Sequence, residues 1–369
     1  MSNPHPDSGR PPALDPPAIA GALLAWATVS GRVLPGRESR DPWYVLVVEV
    51  MSQQTQIERA LEAAGAFCTR FPSPGALATA SAADLLRAWG GLGYNRRALA
   101  LRAAAQAMVA THGGRVPEDA AALLDLPGVG PYTARAVLAR TIGQPVMPLD
   151  VNVRRVLGRV LQETSPAALA QLGDGIAAAA AAATAMYRDP DRHHRPHTHR
   201  VADGDPSATP SGGPSGAPPG APSGPPGARI SAHPGTERAD WTVPPGPGRV
   251  ADALMDLAAT ICRPQNPGCA VCPLAPWCGW HREHPAGDPR EPRANSPRNT
   301  ADRPFRETRR WLRGQLLREL RAAPAGRWSR LEGSRGVHDA PAVQETLATL
   351  AREGFVELDA AGRARLSER

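Results

Sequence analysis

Four cysteines fall within 17 residues, at Cys262, Cys269, Cys272 and Cys278, in the spacing C-x6-C-x2-C-x5-C, and only Cys68 lies outside the group. Thiolates gathered this closely can hold one metal centre, either an iron–sulfur cluster or a zinc ion. Glu49 is the only ionisable residue in Val45–Ser52. Burying a lone carboxylate is costly, and a protein usually answers by raising its pKa. The neutral acid that results is suited to general-acid catalysis; the plainer reading is a glutamate on the wet face of its helix. Asp150 precedes Val153, Val156, Leu157 and Val160 at helical spacing and reads as the N-cap of that helix. A cap carboxylate also serves a site when the helix start faces a pocket. In Leu126-Pro-Gly-Val-Gly-Pro-Tyr-Thr133 a glycine-rich turn opens a helix expected over Tyr132–Thr141. Gly128 and Gly130 permit close backbone approach and unusual dihedral angles. Amides at the helix start, with the positive end of its dipole, suit a phosphate. Such a turn can grip a nucleic-acid backbone without reading its sequence, although an ordinary helix connection has the same composition.

These groups need a scaffold, and most of the chain offers helices. At 369 residues it has room for two domains and linkers. Residues 1–17 read as a disordered tail, rich in proline and without the basic start and apolar core of a signal peptide. Residues 18–187 carry a helical core, with apolar residues at three- and four-residue spacing in Ala82–Trp89, Arg97–Thr111 and Asp119–Leu126. Val45–Val50 reads as helix because the amphipathic run continues through Met51–Ile57 to Ala64. Residues 188–248 are dense in Pro, Gly, Ser, His and Arg and are expected to be a flexible insertion. Their histidines, His193, His194, His197 and His199, read as a solvated basic stretch rather than a metal site. Helix returns at Arg249–Ile261 and leads into the cysteines, which complete the core over 249–283. Residues 284–304 read as a linker. Residues 305–369 read as a small winged-helix-like unit: helices Thr308–Arg321 and Ala342–Glu353, then a hairpin from Gly354–Leu358 and Arg363–Leu366.

Net charge is +7 and the pI about 9.8, which suits a polyanionic partner. No lysine occurs, so all 42 basic residues are arginine, a bias that a GC-rich genome would also produce. The chemical consequence excludes a class of reaction: no lysine can form a Schiff base with a sugar, leaving only the N-terminal amine. No apolar run looks long enough to span a bilayer, and the clustered thiols fit a reducing compartment, so a cytoplasmic, nucleoid-associated protein is expected.

Several segments taken together resemble one family over Leu34 to about His281, interrupted by the insertion. Arg40-Asp-Pro-Trp43, Glu49-Val-Met-Ser-Gln-Gln-Thr-Gln56, Trp89-Gly-Gly-Leu-Gly-Tyr94, the Pro-Gly-Val-Gly-Pro-Tyr-Thr turn, Leu149-Asp-Val-Asn-Val-Arg154 and Ala253-Leu-Met-Asp-Leu257 before the cysteines are similar to the MutY-type adenine DNA glycosylases. That family lies in the helix-hairpin-helix superfamily with endonuclease III. The resemblance implies an all-α helix-hairpin-helix glycosylase fold. A six-helix barrel over roughly 32–145 would pack against a [4Fe–4S] cluster domain built from the N-terminal helix, 146–187 and 249–283. It implies Cys262, Cys269, Cys272 and Cys278 as cluster ligands, Glu49 as the acid that protonates adenine and assists the attacking water, and Asp150 as the carboxylate facing the cationic sugar. Tyr132 would stand where lyase relatives carry lysine, and Asn152 would support the site. Arg37 and Asp252 would contact the flipped base. Gln53, Gln54 and Tyr94 would meet the DNA where it is wedged open, with Gly128 and Gly130 on its backbone.

The implied activity is monofunctional removal of adenine paired with 8-oxoguanine or guanine from double-stranded DNA, by a monomer with no membrane attachment. The alternatives are a thymine mismatch glycosylase of the same superfamily and a non-catalytic lesion-binding protein. The chain departs from the family at Gly36, where tryptophan is usual, at Asn95, where a second aromatic follows Tyr94, and at Asp252, where Glu or Gln is usual. It also departs in the insertion and in a C-terminal unit too short for the usual 8-oxoguanine-reading domain.

Overall fold

Many helices of this chain begin where a short residue meets proline. Proline at the first turn loses nothing, because its missing N–H would have no intrahelical partner there. The computed structural model describes residues 13–187, 246–284 and 304–368. Asp15 caps α1 (Pro16–Ser30) and Asp41 caps α2 (Pro42–Ser52). After α3 (Ile57–Arg70), Ser73 caps α4 (Pro74–Ala78). Then follow α5 (Ala82–Trp89), α6 (Arg96–Thr111), α7 (Ala120–Leu124), α8 (Pro131–Thr141), α9 (Val151–Leu161) and α10 (Pro166–Tyr187). Beyond the insertion lie α11 (Pro247–Thr260), α12 (Gly279–Glu283), α13 (Arg309–Ala322) and α14 (Ala340–Arg352), and then a hairpin of β1 (Val356–Leu358) and β2 (Ala364–Leu366). The hairpin pairs Val356 with Leu366 in an antiparallel register.

The expected tail and insertion are shorter at their inner ends, since α1 starts at Pro16 and α11 at Pro247. The rest of the tail, the insertion with its histidines and most of the linker lie outside the described residues. The helix expected to run unbroken from Val45 to Ala64 is two helices. Arg97 makes the break: its Nη1 donates to the carbonyls of Val50 at 3.0 Å and Met51 at 2.8 Å and also to that of Gln53, and its Nη2 reaches Thr55 Oγ1 at 3.2 Å. The last carbonyls of α2 are therefore satisfied by a guanidinium rather than by a further turn. The chain turns at Gln54, whose φ is +57°.

A second departure concerns α10. Residues Pro166–Ala185 are long and apolar enough, by length and composition, to cross a membrane, against the expectation of no such run. The apolar character is largely alanine, and Leu169, Leu172, Ile176, Ala177 and Ala180 are buried in a core with α1, α9 and α11.

Among the described residues, buried hydrophobic side chains gather in three clusters. One, within α2–α8, packs Leu46, Met51, Phe67, Leu77, Trp89, Leu101 and Met108. The second gathers α1, α9, α10 and α11 around Leu23, Met147, Leu157, Ile176 and Leu254, with the cysteine loop against it. The sequence passes from the first to the second between Val146 and Met147. The third joins α13, α14 and the hairpin, and it takes in Ala83 and Leu86 of α5. Because Leu85 and Trp89 of the same helix face the first core, α5 is buried on both sides. The Ala83 amide donates to the Ser367 carbonyl at 2.7 Å, tying the C-terminal unit to it.

The turn before α8 rests on one glycine. Gly128 has φ +80°, and a Cβ there would lie 2.9 Å from the Cβ of Ala100 on α6. Gly130 has φ −98°, open to any residue, and nothing lies within 4 Å of its Cβ position. The expectation of special dihedrals thus holds for Gly128 and not for Gly130. Gly128→Ala should lower stability by about 2–4 kcal/mol, combining left-handed strain with overpacking. In urea titration its midpoint should fall at unchanged m; an unchanged midpoint would show that the turn relaxes without cost.

Candidate active site

Burial of α2 draws Glu49 into the protein. Every residue from Val45 to Met51 is buried, and Glu49 is 4% exposed. Its carboxylate meets Tyr132 and Arg140 on α8. The Tyr132 hydroxyl, which donates to Met255 Sδ at 3.7 Å, is close enough to lower the Glu49 pKa, and Arg140 Nε stands 3.7 Å from Oε1. Burial raises the Glu49 pKa above the ordinary 4.5; Arg140 pulls it back, and Asp252 adds to the rise. The Tyr132 hydroxyl is raised well above its usual range by burial and then by Glu49. Burial also opposes the charge of Arg140, but Asp252 and Glu49 outweigh it and raise the guanidinium's pKa.

The charges continue away from Glu49 as a ladder. Arg140 Nη2 bonds Asp252 Oδ1 on α11. The other oxygen of Asp252 is in ion-pair contact with Arg37 Nε at 3.2 Å, and its carbonyl accepts from Arg37 Nη2 at 3.1 Å. Arg37 Nη1 turns to the two oxygens of Asp256, at 3.0 and 2.9 Å. Asp256, buried one turn further along α11, also receives the backbone amide and Nε of Arg32, at 3.0 and 2.8 Å. Arg37 and Asp252 therefore do lie beside Glu49, but the donors of Arg37 are directed at α11. Arg140, Asp256 and Arg32 were not anticipated from the sequence. Their visible trace is the pair Asp252 and Asp256, four residues apart on a largely apolar helix, which need cationic partners once α11 is buried.

Gly36 is explained by its neighbour. Its φ is +82°, and a Cβ would sit 2.3 Å from the hydroxyl oxygen of Tyr44. No larger residue fits while Tyr44 occupies that space. Burial, followed by Cys68 and Glu38, pushes the Tyr44 hydroxyl up to about 12.

Asp150 caps α9 as expected. Its Oδ1 accepts from the amides of Asn152 at 2.9 Å and Val153 at 2.7 Å, and Oδ2 accepts from Asn152 Nδ2 at 2.9 Å. Asn152 Oδ1 in turn accepts from Arg155 Nη1 at 2.9 Å, and Arg155 Nε donates to the Cys262 carbonyl at 3.0 Å. A continuous chain of hydrogen bonds thus links the Asp150 carboxylate to the cysteine loop.

Cys262, Cys269, Cys272 and Cys278 line one cavity, together with Arg159, Ile261, Trp280 and His281. Arg159 braces its rim. Nη1 lies 3.3 Å from Cys262 Sγ and 2.7 Å from the Arg263 carbonyl, Nη2 reaches the Pro264 carbonyl at 3.0 Å, and the guanidinium rests 4.9 Å from the Trp280 ring centre. Burial pushes the Cys272 thiol up to about 12 and raises that of Cys278. Among the described residues no group of three or more His, Cys, Asp or Glu side chains converges on a position for a single metal ion.

At the outer rim, Gln54 and Tyr94 are brought together by the same Arg97 that ends α2. Arg97 bonds the Gln53 carbonyl on one side and the Gly93 carbonyl, at 3.2 Å, on the other. Tyr94, with φ +46° and 41% exposed, has the guanidiniums of Arg97 and Arg310 over its ring at 5.4 and 4.1 Å. Gln53 Nε2 approaches the Gly128 carbonyl at 3.5 Å, joining this rim to the hairpin turn.

Residues 47–170 match the HhH-GPD superfamily of base excision DNA repair proteins. The adenine DNA glycosylase of Mycobacterium tuberculosis is 35% identical over 324 residues, spanning 85% of this chain and 84% of that one. The thymine/uracil-DNA glycosylase of Pyrobaculum aerophilum is also 35% identical, but over 152 residues, 41% of this chain and 66% of its own. Among solved structures, a thermostable thymine-DNA glycosylase superposes with a TM-score of 0.51 at 21% identity, covering 73% of this chain and 97% of that one, which shows the shared all-α fold. Similarity to the mycobacterial enzyme extends over more than four fifths of both chains, at more than a third of positions identical: the chain belongs to the adenine DNA glycosylase family of the HhH-GPD superfamily and is a base-excision-repair DNA glycosylase.

Proposed function

We propose that this enzyme hydrolyses the N-glycosidic bond of adenine mispaired with 8-oxoguanine or guanine in duplex DNA. The observation that carries the reading is the buried, acid-retaining Glu49, set beside Tyr132 and Arg140 in a chain that follows an adenine DNA glycosylase over 84% of that relative's length. The flipped base enters against α2 and α8. Glu49 gives its proton to N7 of adenine, and the C1′–N9 bond then breaks with its electron pair leaving on the base. The cationic sugar is met by the Asp150 carboxylate, as paired carboxylates serve an oxocarbenium-like transition state in glycosidases. Water attacks C1′ and returns a proton to Glu49. With Tyr132 where a lyase would carry lysine, and no lysine in the chain, the reaction ends at the abasic site. The amides opening α8 and the turn at Gly128 grip a phosphate, while Gln54 and Tyr94 enter the opened stack.

The first core is read as the family's helical barrel, the second as its cluster domain, and residues 305–369 as a winged-helix-like unit. The four cysteines fit a [4Fe–4S] centre by their chemistry: they line one cavity and together supply the four thiolates that such a cluster takes. Bound there, the cluster would supply a rigid, polarising anchor for the loop Arg263–Gly268; Arg159 and Arg155 hold that loop from the protein side. Similarity to thymine glycosylases favours one second reading, excision of thymine from T:G pairs.

Single-turnover base release from A:8-oxoG, A:G, A:C and T:G duplexes, followed by alkali, separates the readings. Adenine should leave from the first two. Glu49→Gln should slow release by about 10²-fold or more while duplex binding persists. Asp150→Asn keeps an equally good cap, so its Tm should stay nearly constant while the rate drops on the order of 10²-fold. Release from T:G alone would move the assignment to thymine, and binding without any release would make the chain a lesion sensor.

Stability gives a further check on Glu49. A carboxyl whose folded pKa is raised loses its proton first in the unfolded state, so native stability falls as pH rises above 4.5. Glu49→Gln removes that fall, and its stability advantage over the parent in urea should grow from pH 5 to pH 8; a constant difference would mean an unshifted acid. Purified protein should contain about four iron and four sulfide per chain, lost in Cys272→Ser. About one zinc and no iron would replace the cluster with a tetrahedral site.

A further inference from the structure

Arg140 is in ion-pair contact with Glu49, and the reaction above gives it no task. Its side chain is 9% exposed, anchored at Nη2 by Asp252, and its Nε has no hydrogen-bond partner although it is buried 3.7 Å from Glu49 Oε1. An unmet buried donor is costly, and this one stands beside the carboxyl read above as the acid. The charged and titratable groups around this point are few. α2 contributes Glu49; α8 contributes Tyr132 and Arg140; α11 contributes Asp252 and Asp256; the cap of α9 contributes Asp150, which acts on Tyr132; the segment before α2 contributes Arg37 and Arg32, and exposed Glu58 pairs with the outer side of Arg32. With Glu49 ionised, three carboxylates (Glu49, Asp252, Asp256) face three guanidiniums (Arg32, Arg37, Arg140), and the buried set is neutral. With Glu49 protonated, one positive charge is unbalanced, and it is Arg140 that stands nearest the carboxyl.

We propose that Arg140 is a positioning residue for base excision: held by Asp252, its guanidinium orients the Glu49 carboxyl and stabilises the carboxylate left when the proton passes to the base. This rests on the reading of Glu49 as the acid. In the step, the O–H bond of Glu49 breaks with its electron pair kept on oxygen and an N–H bond forms on the base. The charge of Arg140 is unchanged throughout, and its free Nε–H gains the acceptor it lacks before the transfer. The carboxylate so held is then the base for the attacking water. Asp252 is the counterweight: it draws the guanidinium toward α11 and adds a like charge beside Glu49, and both effects favour the protonated acid.

The pH profile of single-turnover adenine release, on the full chain with its metal content checked, tests this through opposite displacements. Arg140→Met should cut the maximal rate at least about 10-fold and move the alkaline limb to higher pH by about one pH unit or more, since Glu49 then keeps its proton longer. Arg140→Lys should bring the limb back toward the parent. Asp252→Asn should move the limb to lower pH, because the like charge is gone and Arg140 is released toward Glu49. A packing defect lowers rates but does not reverse the sign of the displacement. If Arg140→Met does not fold, by circular dichroism and duplex binding, the other two variants decide. Limbs that coincide with the parent in the folded variants overturn the proposal. Glu49→Gln, run alongside, separates the two levels: loss of activity there with unmoved limbs rejects Arg140 alone, whereas retained activity rejects Glu49 as the acid and Arg140 with it.

Discussion

The constraint on which this structure turns is the burial of a carboxylate on α2. Taking a charge of that size out of water costs several kcal/mol even after relaxation, so Glu49 can sit there only as a neutral acid or beside a cation. Arg140 supplies the cation, and a buried arginine needs carboxylates of its own. The demand passes to Asp252, then to Arg37 and Asp256, then to half-buried Arg32, and reaches solvent at exposed Glu58. The ladder spans both cores, since Glu49 and Arg140 come from the first and α11 from the second. Close approach of α11 makes this possible: a Cβ on Gly248 would lie 3.0 Å from the Arg140 Cα. The site is the seam between two cores, closed by charges neither core could bury alone.

Arginine does the same structural work elsewhere. Arg97 gathers the open carbonyls at the end of α2 and binds the loop carrying Tyr94. Arg155 links the Asp150–Asn152 pair to the Cys262 carbonyl, and Arg159 braces the rim of the thiol cavity. A planar fork with five donors can satisfy several acceptors at fixed angles, which a lysine ammonium on its flexible stem does poorly. Whatever produced the lysine-free composition, the fold uses its arginines as fixed connectors between segments that share no secondary structure.

What the sequence made legible follows from range. The Asp150 cap, the turn at Gly128 and the cysteine grouping are local, set by residues within a turn or two of each other, and spacing alone exposes them. The burial of Glu49 was legible because valines flank it on both sides. The break after Ser52 was not, because it depends on Arg97, 46 residues beyond Met51. Arg140 escaped notice for the same reason: its partners lie on α2 and α11, and within α8 it is one more arginine near a helix C-terminus. The alanine helix α10 misled in the other direction, since small residues raise mean hydropathy without the bulk that marks a span or a core to the eye.

Gly36 shows how a departure from a family pattern can be a packing matter before it is a functional one. The positive φ there and the Tyr44 hydroxyl close behind leave no volume for an indole, so the space beside Arg37 is furnished by a tyrosine from α2 instead of a side chain from the loop. Tyr44 is half-buried, and its raised pKa keeps it a neutral donor at any working pH. Glycine at this position therefore makes room for a side chain with a polar edge, the Tyr44 hydroxyl. Arg37 itself is committed to α11 by four hydrogen bonds or ion contacts. The Arg37 guanidinium is thus fixed in direction by α11 rather than free to swing, a rigidity that follows from pairing with two carboxylates one turn apart on a buried helix.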